Sequence, residues 1–316
     1  MNLRLFQELR LEKMRIVFKT IIVLISGILF SNIVFSAGAT TADFLQVNIS
    51  ARETAIGGVY TPFYAYAGSS IINPATLAGI DKSQVIMSHY SSVFETRYEQ
   101  ILYALPLNEK EAVGGVLMYD GNDNLQRTDI DGNPIEKIDN FDIIVGGIYS
   151  KNFGNELSTG IIIKGLMSRL YKANTYGISM NVGIVYNNKD RHYVLGLVLE
   201  NIGITTVYSK EQSMLPLVVR GGYGLELYND KDTYKSSLYI EEMVPINEID
   251  TSETSLGLEV IYLGFMAFRY GYIFGIAEGR VSIGAGIKLG DFTLDYAYKP
   301  FFVSDNEHRV TLRAEF

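Results

Sequence analysis

The chain has 316 residues, a formal net charge of -8, no cysteine and no tryptophan. Without cysteine there is no disulfide, no thiolate catalysis and no cysteine metal site, and so acidic a chain is a poor partner for nucleic acid. Its 22 tyrosines, 16 phenylalanines and 30 glycines suit a strand-built wall with aromatic rings at its margins.

At the amino end, Arg15 and Lys19 precede an apolar run over 21–35 that closes on Ala37-Gly38-Ala39, the small-x-small pattern of a cleavage site. A signal peptide over 1–39 is expected, with the mature chain starting at Thr40. The long charged stretch ahead of Met14 makes Met14 a second candidate for the true start. As an anchor the run falls short of the roughly 20 residues of a spanning helix, and it carries Asn32. Residues 1–39 contain five Lys or Arg and two Asp or Glu, so their removal takes the net charge from -8 to -11. No later segment is as apolar, so residence in a membrane would have to be by strands.

Residues 40–81 carry helix and turn signals instead of alternation. Phe44, Leu45, Ile49, Ala55 and Ile56 have a loosely helical apolar spacing that stops at Gly57-Gly58. Asn73-Pro74-Ala75 reads as a helix start, with Asn at the cap, Pro at the first helical position and Leu77 as the following apolar contact. These features predict an N-terminal plug with short helices, its packing against the wall eased by inward glycines such as Gly257, Gly284 and Gly286.

From Gln84 onward the sequence divides into about 14 alternating runs separated by turn chemistry, which predicts an all-β fold, an antiparallel transmembrane β-barrel over 82–316. Alternation is cleanest over 255–262, 280–289 and 292–299. Lys164, Glu200, Arg220, Glu259, Arg269, Asp295 and Arg313 are placed in the lumen, because a basic group against lipid costs roughly 2–4 kcal/mol at the midplane. Gathered inside the bore, they should pair. The closing run alternates without a break: Val310, Leu312, Ala314 and Phe316 share one face, Thr311, Arg313 and Glu315 the other. Such a run ending on an aromatic resembles the signal read by the bacterial barrel-insertion machinery, and Val310, Leu312 and Phe316 are its apolar part. Counting back from that end, long exterior loops (91–97, 120–140, 170–175, 203–215, 246–251, 274–279, 300–307) should alternate with tight interior turns (106–110, 152–156, 188–191, 229–232, 263–264, 290–291).

Three local patterns invite a chemical reading. His308 lies beside Asp305 and Glu307 at the exterior end of the last strand, where a catalytic barrel would hold its acid or base. A solvated loop histidine is the simpler account, His89 and His192 lie elsewhere, and no catalytic residue is assigned. Asp123, Asp129, Asp131, Gly132 and Asn133 echo the acidic, glycine-punctuated runs of calcium loops but lack the third ligand spacing and the distal bidentate Glu. A hairpin turn at Asp131-Gly132 fits better, so no metal or other cofactor is expected. This longest exterior loop is the candidate contact surface for a protein partner. Gly114-Gly115 could kink an early strand and open a lateral path to the bilayer, although paired glycines that make room for the plug account for them more simply.

Several fragments, in order along the chain, resemble the PorV/PorQ-type outer-membrane proteins, which are themselves similar in architecture to the FadL channels for hydrophobic compounds. They are Phe44-Leu45, Ala51-Arg52, Gly57-Gly58, Asn73-Pro74-Ala75 with Leu77, Asn201-Ile202-Gly203, and Leu215-Pro216 ahead of Arg220-Gly221. Gly257-Leu258-Glu259, Arg269-Tyr270-Gly271-Tyr272, Asp295-Tyr296-Ala297-Tyr298 and His308-Arg309 complete the set. Ile72 departs from the pattern, where the family often has an aromatic. The resemblance implies an outer-membrane barrel of about 14 strands with an N-terminal hatch. For the best-studied branch it also implies a part in type IX secretion, in which exported cargo is captured by its C-terminal domain and handed to the surface-attachment machinery. The expectation is a non-enzymatic barrel in contact with outer-membrane lipid, acting as a partner of secreted cargo domains. The alternative is a FadL-like passive channel for hydrophobic small molecules, whose mark would be an apolar lumenal pocket beneath the loops.

Overall fold

In the computed structural model, which describes residues 42–316 apart from 48, 92–95, 123–124, 139, 155, 207–214, 231–232, 247–250 and 302–305, the alternating runs become strands that close on themselves. They are β1 (Gln84–Ser91), β2 (Arg97–Pro106), β3 (Glu111–Gly121), a small separate hairpin of β4 (Gln126–Thr128) and β5 (Pro134–Lys137), then β6 (Asn140–Phe153) and β7 (Leu157–Leu170). The wall continues through β8 (Ala173–Asn188), β9 (Tyr193–Thr205), β10 (Val218–Asn229), β11 (Tyr234–Pro245) and β12 (Glu253–Tyr262). It ends with β13 (Met266–Phe274), β14 (Val281–Leu289), β15 (Phe292–Lys299) and β16 (Glu307–Glu315). All but β4 and β5 form one closed barrel of 14 strands, antiparallel throughout, in which β3 pairs with β6 and β1 pairs with both β2 and β16. Closure leaves no unpaired strand edge.

The period of two sorts side chains by face. On β16, Arg309 and Thr311 are buried while Val310 and Leu312 are about 40% exposed. The outer face is apolar: Met87, Ile101, Leu117, Ile163, Leu197 and Phe268 all lie exposed on it. The inner face is divided. β1, β2, β3, β6 and β7 turn Ile86, Leu102, Val116, Ile144, Ile148 and Ile162 inward, whereas β9 to β16 turn Glu200, Arg220, Glu241, Glu259, Arg269 and Asp295 inward.

Both halves are met by the amino-terminal stretch. It contains a 3-10 turn (Asp43–Gln46), a short helix α1 (Ala51–Ala55) and a second 3-10 turn (Pro74–Leu77). Leu45, Ile49, Ile71, Ile72 and Leu77 join the apolar half in one cluster, and Ala51 and Ala55 pack on Ala297 of β15. A five-residue helix has no independent stability in water, so tertiary packing holds α1 in place.

The structure departs from the sequence reading in places. The expected exterior loop over 170–175 is a two-residue connection, because Leu170 already pairs with Ala173 and Tyr171 takes the left-handed φ of 56° that so tight a turn needs. The ladder runs on past the apolar part of β7 and β8, since main-chain bonds do not require apolar side chains. The 120–140 excursion contains the β4–β5 hairpin, and Asn73 caps a 3-10 turn in place of an α-helix.

Candidate functional site

The charged half of the bore is a chain of ion pairs aimed at the amino-terminal stretch. Glu259 of β12 accepts two bonds from Arg52 of α1, from Nε at 3.0 Å and Nη2 at 2.9 Å, and one from Arg269 Nε at 2.7 Å. Arg269 Nη1 in turn donates to Asp295 Oδ1 at 2.7 Å. The Arg52 guanidinium lies 4.8 Å from the Phe63 ring centroid and 4.4 Å from that of Tyr66, a position favoured by the ring quadrupoles. A second group centres on Arg220, which donates to Glu200 and, at 3.4 Å, to Glu241. Glu241 Oε2 accepts the Tyr60 N–H at 3.0 Å and both the N–H and hydroxyl of Thr61 at 2.7 Å. Buried carboxylates and guanidiniums thus share partners, the condition under which burying them is tolerable.

Lys164, Glu200, Arg220, Glu259, Arg269 and Asp295 are all buried on the inner face; Arg313 is partly exposed and donates to Thr293 Oγ1 at 3.3 Å. Arg52, Glu53, Glu241 and Asn201 were not singled out as site residues. Glu241 was hidden by its neighbour Glu242, which made the face of β11 ambiguous. Arg52 and Glu53 lie outside any strand, where alternation gives no signal. Asn201 carries the irregularity of the wall: its φ is 60°, the β8–β9 register shifts between Met180 and Val182, and its N–H donates to Asn181 Oδ1 at 2.9 Å.

The Asn73 corner locks the stretch against the apolar half. Asn73 Oδ1 accepts the Ala75 N–H at 3.2 Å, and its Nδ2 donates to Thr61 O at 3.1 Å and, across to β8, to Ile184 O at 3.4 Å. Pro74, Ala75 and Leu77 are buried beside it. A Cβ on Gly183 would overlap Asn73 Oδ1, and one on Gly271 would overlap the Gly57 nitrogen. Gly257 and Gly284 likewise make way for Ile56 and Ala55, whereas Gly286 makes room for the Arg269–Asp295 pair.

Space in the bore is distributed unlike the expected apolar pocket beneath the loops. Residues 42–47, 49 and 50 pack against the apolar half and leave small voids, among them about 20 Å³ beside Ile71 and Met118, about 10 Å³ beside Phe44 and Tyr98, and about 20 Å³ beside Ala42 and Leu166. A cavity of about 580 Å³ lies toward the tight-turn end, where Arg52, Phe63, Tyr66, Lys189, Phe265 and Arg313 are among its walls.

The remaining sequence candidates separate. β3 pairs through Gly114 and Gly115 with β2 and β6 in unbroken register, and a Cβ on Gly114 would meet Leu77 Cδ2 at 3.5 Å. Asp129 closes the hairpin tip, accepting the N–H groups of Asp131 and Asn133 at 3.0 and 2.8 Å and the Asn133 side chain at 3.0 Å, while Asp123 lies outside the described residues. His308 turns outward to the Tyr296 hydroxyl at 2.7 Å, whereas Glu307 turns inward to Tyr90 at 2.6 Å and Arg309 at 2.7 Å. Strand alternation therefore separates the pair that a catalytic reading would join. Val310, Leu312 and Phe316 are exposed.

The chain is thus a closed all-β barrel of 14 antiparallel strands, apolar outside and part apolar, part charged within. Among solved structures, the chain is similar to the Pseudomonas putida toluene transporter TodX, with a TM-score of 0.54 at 13% identity over 83% of this chain and 96% of that one. It is similar also to a Pseudomonas aeruginosa FadL homologue, with a TM-score of 0.55 at 11% identity over 85% of this chain and 98% of that one. No family model and no curated protein matches the sequence.

Proposed function

We propose that the chain, freed of a signal peptide over 1–39, resides in the outer membrane with residues 40–81 as a plug, and passes small hydrophobic compounds. The observation that carries this reading is the apolar half of the bore, where Ile86, Leu102, Val116, Ile144, Ile148 and Ile162 form a continuous inward wall. A purely structural or ion-selective barrel has no need to turn so much apolar surface away from lipid. The stretch over 42–50 covers this wall with apolar side chains, and its Leu45 and Val47 N–H groups bond within the stretch, to Ala42 O and Phe44 O. A solute could replace such a cover at little cost in hydrogen bonds. The outward apolar side chains meet lipid, and Val310, Leu312 and Phe316 face outward where the insertion machinery would read them. Acting in this way, the chain needs no catalytic residue, cofactor or metal.

The test uses cells stripped of their own hydrophobic-compound channels, whose lipopolysaccharide leaflet excludes the solute. Expression of the native chain should raise uptake of a labelled alkylbenzene several-fold, and Ile144→Asn with Ile148→Asn should abolish the gain. Equal uptake by native and doubly substituted barrels would sink the reading.

A role as a PorV/PorQ-like secretion partner has separate support in the β4–β5 hairpin, whose tip carries a wholly exposed Ile130. Removing 126–137 should then abolish capture of a surface-cargo domain while leaving uptake intact; unchanged capture removes this second role.

A further inference from the structure

We infer that the apolar half of the bore contains a buried halide site, with Lys164 as its cation and Gln100 and Tyr60 as its neutral donors. The inference does not depend on what the barrel transports. Lys164 of β7 is 2% exposed, and its ammonium donates to one neutral acceptor, Asn201 Oδ1, at 2.8 Å. Its remaining N–H donors are unused. Among the described residues no carboxylate forms an ion pair with it; Glu200, the acid nearest to Asn201 along the chain, is bound by Arg220. A buried ammonium whose nearby carboxylate, Glu200, acts on it from beyond ion-pair distance and is already bound by Arg220 is a costly arrangement in a protein interior.

Directly beside it lies the void of about 20 Å³, whose apolar walls include Leu45, Ile49, Ile71, Ile72, Met118 and Ile144. Gln100 and Tyr60 also line this void, are 3% and 1% exposed, and leave Gln100 Nε2 and the Tyr60 hydroxyl without a hydrogen-bond partner. The one other hydroxyl on its wall, that of Ser50, donates to Glu53.

The chemistry of the occupant follows from size and sign. A void of that size admits one particle of about the dimensions of water. The ammonium, the amide nitrogen and the phenol all have hydrogens to donate, so the occupant must accept from several directions. Water can accept but adds no charge of its own to that of the distant, Arg220-bound Glu200. Sulfate and carboxylate-bearing molecules are too large. A single chloride satisfies volume, charge and donor set together. It would also join β2 and β7 to Leu45, Ile49 and Tyr60, fastening the amino-terminal stretch to the wall.

The full-length barrel, purified in a neutral detergent, is melted in chloride, bromide, sulfate and gluconate at matched ionic strength, and crystals grown in bromide are measured at the bromine absorption edge. The expected result is a Tm that rises with the logarithm of chloride or bromide concentration but not of sulfate or gluconate, as for a ligand that binds only the folded state. An anomalous peak should stand beside Lys164 Nζ. Both signals should vanish in Lys164→Met and in Gln100→Glu, whose new carboxylate supplies the counter-charge itself. Should Lys164→Met fail to fold, Gln100→Glu preserves the volume and carries the test. Absence of the bromide peak, density for water alone, or an equal halide response in sulfate or in the Gln100→Glu protein would overturn the site.

Discussion

Glu259 is the residue through which α1 communicates with the wall, since one carboxylate answers both Arg52 and Arg269. Replacing it with Gln leaves two buried guanidiniums short of charge, and breaking a buried pair in this way costs about 3–5 kcal/mol. Urea unfolding in lipid vesicles should register that loss. Adding Arg52→Met to Glu259→Gln should cost much less than the two single changes combined, because both remove the same interaction. A loss below about 1 kcal/mol for Glu259→Gln would mean that apolar packing alone seats α1. Such charges were legible because an ionisable group in a cleanly alternating run has only one tolerable face. Arg52 and Glu53 carried no comparable mark, since a five-residue helix offers too few turns for an apolar stripe.

At the scale of elements, the hairpin of β4 and β5 is where sequence and structure agree most directly. Asp131-Gly132 read as a turn, and Gly132 has the φ of 85° that such a turn requires. The tip depends on protonation state. Bonds from the Asn133 side chain and from the Asn133 and Asp131 N–H groups hold the Asp129 carboxyl below its ordinary range. At the base, the Tyr171 hydroxyl and then Arg127 do the same for Glu136. An acid whose folded pKa is depressed contributes stability that is present above its unfolded pKa and is lost as pH falls through the folded one. The amides of Asp131 and Asn133 should therefore stay protected through the ordinary aspartate range, near about 3.9, and lose protection only at lower pH. Hydrogen exchange followed by NMR reads this; protection lost at the ordinary aspartate value would refute it. The tight Tyr171-Lys172 connection was less legible, because the polar ends of β7 and β8 look like loop when judged by hydropathy, although their main-chain ladder continues to Leu170 and Ala173.

At the scale of the whole molecule, the division of the bore follows from strand order. Apolar inward residues cluster in the early strands and charged ones in the late strands, so closing the sheet places them on opposite sides of one lumen. The sequence reading assigned inward charges but did not locate the apolar half, because the early strands are hydrophobic on both faces and alternate weakly. The amino-terminal stretch is seated partly by glycines. Gly183→Val would drive a methyl group into Asn73 Oδ1 and should dislodge the corner. Planar-bilayer recordings should then show a raised conductance relative to the native barrel; unchanged conductance would mean that the Asn73 corner does not control the bore.

The seam between β1 and β16, where Gln84 lies opposite Glu315 and Ser91 opposite His308, sets a timetable for biogenesis. Every other barrel neighbour is brought together by a turn or a modest excursion, but this ladder unites the first wall strand with the last. Synthesis of the whole wall must be over before it can zip, and until then β1 offers a bare edge to any passing strand. Chaperones that shield that edge should thus govern yield more strongly than the intrinsic stability of the finished cylinder.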